Sequence, residues 1–270
     1  MVLAAGEGRR LRPLTEHLPK SLCPVGNVPL LDHALARVAR LGFADPGTVA
    51  VNASYLGEQV VAHVGARAHI SAETHPLGTA GGVGNLRDWI GGRGVLVANA
   101  DAYLAGIGAD AAALIDGWDG ETVRLFGQPA PEETYGFFGH RFAGLSLLPW
   151  RYVRDLPPEP AELVKAVWRP AEAQGALRVV PYVGTYLDTG TARTYLAANL
   201  HAAGTGELVA PGATVTGTVE RSVVGAGASV AGTLTRSVVW PGGYVSPDEH
   251  LVDAIRAGRD LTVPAAGDAP

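Results

Sequence analysis

A short apolar run, Val2 to Ala5, passes straight into a loop carrying Gly6 and Gly8, and Arg9 and Arg10 follow at once. This junction limits the possible folds more than any other feature, because a strand that stops on glycines and hands over to cations has to end at an edge open to a ligand. Glycine lets the backbone come close to a ligand, and successive N–H groups in such a turn form an anion-binding nest. Arg10 adds a planar fork of donors, and Lys20, ten residues on, adds a compact point charge. Strand, glycine loop and cations together point to a phosphate site, with an ordinary tight turn as the plain alternative. No Gly-Lys-Ser/Thr follows, so the loop is not a P-loop, and Leu11 stands where a dinucleotide fingerprint needs its third glycine.

The first half of the chain alternates strand and helix. Leu31, Leu35, Val38 and Leu41 lie at helical spacing and predict an amphipathic helix ending at Gly42. Strands are predicted over Thr48–Asn52, His69–Ala72 and Gly94–Asp101, with helices over Tyr55–Val64 and Gly82–Trp89. Such alternation implies a mainly parallel sheet covered by helices on both faces. Ligands of these sheets sit at the carboxyl ends of the strands, so Gly6, the Gly78 loop and Asp101 should share one edge. Between Asp119 and Gly184, Pro157, Pro158 and Pro160 mark a loop and Ala161–Trp168 reads as helical. A helix over Thr191–Leu200 then follows, capped by Asp188 or Thr189.

From Leu208 the texture changes. The segments LVAPGATVTG, SVVGAGASVAG and SVVWPGGYVS repeat small residues, glycine and valine at about six-residue steps, which predicts roughly three coils of a parallel β-helix. The tail after Val263 is rich in Ala, Gly and Pro and is expected to fray. The expected domains are residues 1–204, the coils over 205–250 and a C-terminal segment over 251–270.

With 270 residues the chain can bury a sizeable core. A net charge of −5 argues against a nucleic-acid partner, which needs a basic face, but not against a nucleotide met by a few local cations. Cys23 is the one cysteine, so no internal disulfide can form, a reducing cytoplasm fits, and the thiol reads as a packed hydrophobe. No apolar run approaches the ~20 residues of a membrane helix, and no signal peptide is read. None of the eight histidines falls in a metal-site spacing.

The string LAAGEGRRLRPLTEHLPK, Leu3 to Lys20, closely resembles the signature of the sugar-1-phosphate nucleotidyltransferases, through Gly6, Gly8, Arg10, Leu11, Pro13, Leu14, Thr15, Pro19 and Lys20. Arg9 stands where that family has threonine, and the family has a few residues before its Leu-Ala-Ala-Gly turn, so the start reads as clipped. The resemblance extends over nearly the whole chain. The stretch RSVVWPG from Arg236 is similar to the mannose-1-phosphate guanylyltransferase branch with its small β-helical tail. It implies an α/β fold: a Rossmann-like domain with a mixed, mostly parallel sheet, followed by a short left-handed parallel β-helix. The implied substrates are a nucleoside triphosphate and a sugar 1-phosphate, with Mg²⁺ as cofactor and the tail packed against a second copy.

On the residues, the resemblance implies that the backbone from Leu3 through Ala5, Gly6 and Gly8 meets the nucleotide, with Arg10 on the β- and γ-phosphates. Lys20 is placed on the α-phosphate or the attacking phosphate. Asp101, in Asn99-Ala100-Asp101, and Asp188, in YLDTGT, are the implied Mg²⁺ ligands; a turn aspartate and a helix cap are the plain readings. Glu73 with Gly78 and Thr79 makes the implied base-reading segment. A carboxylate is acceptor-only and matches the two adjacent donors of guanine, which favours GTP and mannose 1-phosphate; a surface glutamate is the alternative. Tyr135-Gly136 and Ala143-Gly144 resemble the family's sugar-contacting segments, with a plain turn as the alternative; Lys165, on the predicted middle helix, reads as a sugar-phosphate contact or as a solvated lysine. Uridylyl or thymidylyl transfer stays open, as does a regulatory, non-catalytic relative. Hexapeptide acyl transfer is weak, because the coils are few and carry no catalytic histidine.

Overall fold

The computed structural model describes residues 1–106, 111–130 and 136–265. Contacts divide the chain into two compact units, Met1–Glu7 with Leu31–Tyr186, and Gly8–Leu30 with Leu187–Pro270.

The first unit is built on seven strands: β1 (Val2–Leu3), β2 (Ala50–Ala53), β3 (His69–Ala72), β4 (Val95–Asn99), β5 (Val123–Pro129), β6 (His140–Leu148) and β7 (Leu177–Pro181). Their order across the sheet is β7-β5-β6-β4-β1-β2-β3. All pairings are parallel except those of β6, which runs antiparallel to both β4 and β5. The short β1 lies near the middle, with Val2 opposite Val51 on one side and Ala98 on the other. Strands covered on both faces are apolar throughout rather than alternating: every residue of β2 is buried, as are the first four of β4.

Helices Leu30–Arg40 and Gly57–Val64 form where the periodicity places them. The helix predicted over Gly82–Trp89 is two short ones, Gly78–Asn85 and Arg87–Ile90, broken at Leu86. The predicted Ala161–Trp168 helix is a five-residue π-turn, Val164–Trp168, running into an α-helix over Arg169–Ala173. Packing decides that geometry: Leu163, Val167, Trp168 and Ala171 are all buried in the core that Val83, Leu86 and Val97 share.

The second unit carries three columns of short parallel strands. Leu208 lies opposite Val223, which lies opposite Val238, so these coils take fifteen residues, and the next, from Val238 to Ile255, takes seventeen; both fall short of the eighteen that six-residue steps would need. The coils turn at corners in left-handed backbone: Arg221, Arg236 and Asp253 at φ 46°, 46° and 48°, and Gly212, Gly227 and Gly242 at φ 81°, 66° and 69°. Each Arg corner precedes a buried serine. The Ser222 hydroxyl donates to Glu220 O and accepts from Ser237 N, and Ser237 repeats the pattern with Thr235 O and Ala254 N. Val224, Val230, Leu234, Val239 and Val245 fill the interior.

A solenoid has to close its last coil against water. Here Arg256 takes the place in the column that Val239 holds one coil earlier. Its guanidinium is buried, donating to Tyr244 O and Arg259 O at 2.7 Å and paired with Glu249. The chain beyond folds back as an antiparallel strand, Leu261–Pro264, and Ala265 N donates to Asp253 O at 2.7 Å. Pro264 and Ala265 are thus tied down, and the rest of the tail expected to fray, 266–270, lies outside the described residues.

The hydrogen bonds from Arg256, then that from Ser246 N–H, hold the Glu249 carboxyl down to about 2. A folded value below the unfolded ~4.3 adds stability that is complete above that value and is lost as pH falls toward 2. Chemical denaturation from pH 6 to 2 should show stability falling through this window, with a shallower fall in Glu249→Gln.

Candidate functional site

In the first unit the chain builds β1, β2 and β3 outward to one side, then returns to lay β4 on the other side of β1. The carboxyl ends of β1 and β4 flank this switch point, where open α/β sheets bind ligands. Leu3 O accepts from Ala100 N at 3.0 Å, so the exits of the two strands are tied together and Asp101 follows half-buried. Ala100 is fully buried, its methyl turned into the protein. One residue further, the buried Arg37 donates to Ala102 O at 3.4 Å, and burial lowers its guanidinium to about 10. Ala5 is buried and Leu3 half-buried, so both offer a ligand backbone rather than side chain. A methyl group added at Gly6 would meet no atom within 4 Å.

Glu73 leaves β3 on the same edge and is engaged within the protein. It is 8% exposed; Oε1 accepts from Asn52 Nδ2 at 2.7 Å and Oε2 from Leu77 N at 3.1 Å. The two carboxylate oxygens expected to face a base each hold one of the chain's own N–H groups. The glycines that follow also approach the chain itself. A Cβ at Gly78, φ 69°, would stand 2.6 Å from Ala161 O, and at Gly81 2.1 Å from Glu159 O. They admit the backbone of residues 157–161, which Ala80 N and Leu77 O bind through Ala161. Thr79 Oγ1 donates to Glu162 and accepts from Leu163 N, each at 2.7 Å, joining the same two segments. The exposed part of this loop is Thr74–Pro76.

Of the residues expected at a sugar, Tyr135 lies outside the described residues. Gly136 serves a hairpin, because a Cβ there would stand 2.3 Å from His140 O, and its carbonyl accepts from Arg169 at 3.2 Å. Gly144, φ 80°, sits where the β5–β6 register shifts and has the side chains of Ala102, Leu104 and Tyr186 within 4 Å. Lys165 is exposed on the π-turn.

The second unit gathers the charged residues. Gly8 is left-handed at φ 62°, and Lys20 Cβ lies 2.9 Å from where its own Cβ would be. Gly8 O accepts from Leu11 N and from the buried Thr15 hydroxyl, each at 2.9 Å, which closes the loop. Arg10 Nη2 lies 3.5 Å from one Asp188 oxygen and Lys20 Nζ 3.6 Å from the other. The Lys20 side chain is 7% exposed, whereas those of Arg10 and Asp188 are 70% and 49% exposed. Asp188 does not cap the following helix, Ala192–Ala203. Thr191 does so in a capping box with Thr194, which leaves the Asp188 carboxylate to the cations. Gly190, which sequence reasoning passed over, makes room: a Cβ there would lie 2.7 Å from Arg10 Nη2. Cys23 is buried, and burial pushes its thiol up to about 12, so it is no nucleophile.

Among the described residues no three His, Cys, Asp or Glu side chains gather as a metal cage. The donor chemistry nonetheless fits Mg²⁺, which binds through one or two carboxylates and keeps several waters. In the first unit Asp101 is a half-buried carboxylate, and in the second the exposed Asp188 carboxylate answers two positive groups.

Residues 1–137 match the family model described as Nucleotidyl transferase. A mannose-1-phosphate guanylyltransferase of Mycobacterium tuberculosis is 35% identical over 122 residues, 43% of this chain and 32% of that protein. An N-acetylmuramate alpha-1-phosphate uridylyltransferase of Caulobacter vibrioides is 38% identical over 133 residues, 46% of this chain and 54% of that protein. The aligned region thus spans a third to about half the length of these curated relatives. The fold matches that of a Bacillus anthracis crystal structure described as a glucose-1-phosphate thymidylyltransferase, with TM-score 0.62 and 19% identity. That match covers 74% of this chain and 93% of the other. No helix among the described residues is long and apolar enough to cross a membrane.

The two loop glycines should respond differently to a methyl group. Gly8→Ala forces a side chain into left-handed backbone against Lys20, at about 1–2 kcal/mol or more. Gly6→Ala should change stability by less than about 0.5 kcal/mol. Urea unfolding of the two variants measures the contrast.

Proposed function

Since the chain belongs to the nucleotidyl transferase family, we propose that it transfers a nucleotidyl group from a nucleoside triphosphate to a sugar 1-phosphate. An oxygen of the sugar phosphate attacks the α-phosphorus in line. The bond from that phosphorus to the α–β bridging oxygen breaks, and pyrophosphate departs with the electron pair. The observation that carries the reading is the meeting of Arg10 and the buried Lys20 on Asp188, with Lys20 packed beneath the Gly8 turn.

The chemistry asks for two polyanions held together and for charge stabilised as it shifts, so positioning and electrostatics carry most of it. In this reading the backbone from Leu3 to Gly8 donates to the triphosphate, and Arg10 steadies the departing β- and γ-phosphates. Lys20 neutralises the α-phosphate or its attacker, and its burial strengthens that charge by excluding water. Asp101 and Asp188 would hold Mg²⁺, which when bound supplies Lewis acidity and a template for the phosphates.

For the substrate pair we favour GTP and mannose 1-phosphate. The support is the Mycobacterium tuberculosis relative and the coils that end the chain. The guanine argument from Glu73 is weakened, because its oxygens are engaged within the protein. The uridylyltransferase relative keeps uridylyl transfer as the second reading.

Pyrophosphate release with Mg²⁺, over four nucleoside triphosphates and several sugar 1-phosphates, tests this. Release with GTP and mannose 1-phosphate alone is the expected result, and release with UTP instead keeps the reaction and changes the base. Asp101→Asn should lower turnover by roughly two orders of magnitude or more with the fold intact. No release across the grid by a folded protein that binds nucleotide would point to a regulatory role.

A further inference from the structure

Three strand ends lie side by side on the carboxyl edge of the first unit, those of β1, β2 and β3, and a chain of buried polar groups runs across them. Ala4 N donates to Asn52 Oδ1 at 2.7 Å, Asn52 Nδ2 donates to Glu73 Oε1 at 2.7 Å, and Leu77 N donates to Glu73 Oε2 at 3.1 Å. Asn52 is 2% exposed and Glu73 8%. Space is reserved for the pair, because a Cβ on Gly82 would come within 3.0 Å of both Asn52 Nδ2 and Glu73 Oε1.

The direction of this chain is forced. Ala4 N can only donate, so it takes the Asn52 oxygen and turns the Asn52 NH₂ toward residue 73. Leu77 N can also only donate, so residue 73 faces a donor on each side. An acceptor-only carboxylate satisfies both, whereas a glutamine would set its own NH₂ against one of them. The carboxylate at Glu73 is thus demanded by the protein, with no base required to explain it.

We propose that Asn52 is a positioning residue for the nucleotide. Through Glu73 it fixes the exit of β1, where the phosphate loop begins, against the loop whose exposed tip is Thr74–Pro76. This inference rests on the nucleotidyl-transfer reading above. Glu73 clamps the tip at both ends, since its own N–H donates to Ala53 O at 2.8 Å while its carboxylate holds Leu77 N. The backbone at the start of the phosphate loop and at the tip then keeps one spacing, and a ligand touching both finds it ready-made. Groups held this way lower the cost of ordering them on binding.

A reciprocal exchange tests the proposal. Asn52→Asp alone sets two carboxylates face to face, and Glu73→Gln alone sets donor against donor. Together the two changes restore every hydrogen bond with the direction of the central one reversed. Melting temperature and steady-state pyrophosphate release are read for wild type, both single variants and N52D/E73Q.

Each single change should lower the melting temperature and raise KM for the nucleoside triphosphate about tenfold or more, with KM for the sugar phosphate and kcat moving far less. The double variant should recover both and keep the wild-type base preference. Recovery of the melting temperature without recovery of KM, or with an altered base preference, would mean that Glu73 meets the base itself and would overturn the proposal. Single variants that melt lower but keep the wild-type KM would overturn it as well. Wild-type protein that releases no pyrophosphate and binds no nucleotide refutes the nucleotidyl-transfer reading itself, whereas failure of the exchange in an active wild type refutes the relay alone.

Discussion

The position of β1 governs the first unit. Two residues long, it is hydrogen-bonded on both sides, to β2 through Val51 and Asn52 and to β4 through Ala98 and Asn99. A strand so short depends on its neighbours for direction, and its neighbours reach the same edge only because it lies between them. From that placement follow the tie between Leu3 O and Ala100 N, the half-buried station of Asp101 and the seat of Asn52 beside Ala4. In a parallel sheet the carboxyl ends share one rim, so residues almost a hundred positions apart in sequence become neighbours there.

The glycines divide into two groups that look alike in the sequence. At Gly8 the backbone is left-handed and Lys20 packs against it, and at Gly190 the Arg10 guanidinium fills the place of a side chain. These serve the charged cluster of the second unit. Gly78, Gly81 and Gly84 instead let the backbone of residues 157–161 lie against a helix. A glycine-rich segment thus signals close approach, and the approaching group can be the protein's own main chain.

Much of the architecture was legible beforehand. The helical spacing of Leu31, Leu35 and Val38 and the apolar run before Asp101 are local patterns, and both elements formed within two residues of their expected bounds. The coils were legible as parallel and repetitive, but their length was not. Valine and glycine spacing suggested six-residue steps, whereas the corners at Arg221 and Arg236 need left-handed backbone that arginine spelling does not announce. Nor did any period show that Gly8–Leu30 would join the helix Ala192–Ala203 and the coils. Tyr195 and Asn199 bind Pro24 O, Asn199 also accepts from Gly26 N, and Trp240 Nε1 donates to the Tyr195 hydroxyl. Those are long-range polar contacts between buried groups, each chosen by shape rather than by pattern.

By itself the sequence determined the strand-helix order, the glycine loop with its cations and the repeating tail, since each is written within a few neighbouring residues. Tertiary structure alone decided what each polar group is spent on. Asp188 answers Arg10 and Lys20 because Thr191 relieves it of capping, and Glu73 is bound to Asn52 and Leu77 because three strand ends meet. A side chain's type states which hydrogen bonds it is able to make; only the folded chain, by burying it, selects which ones it must.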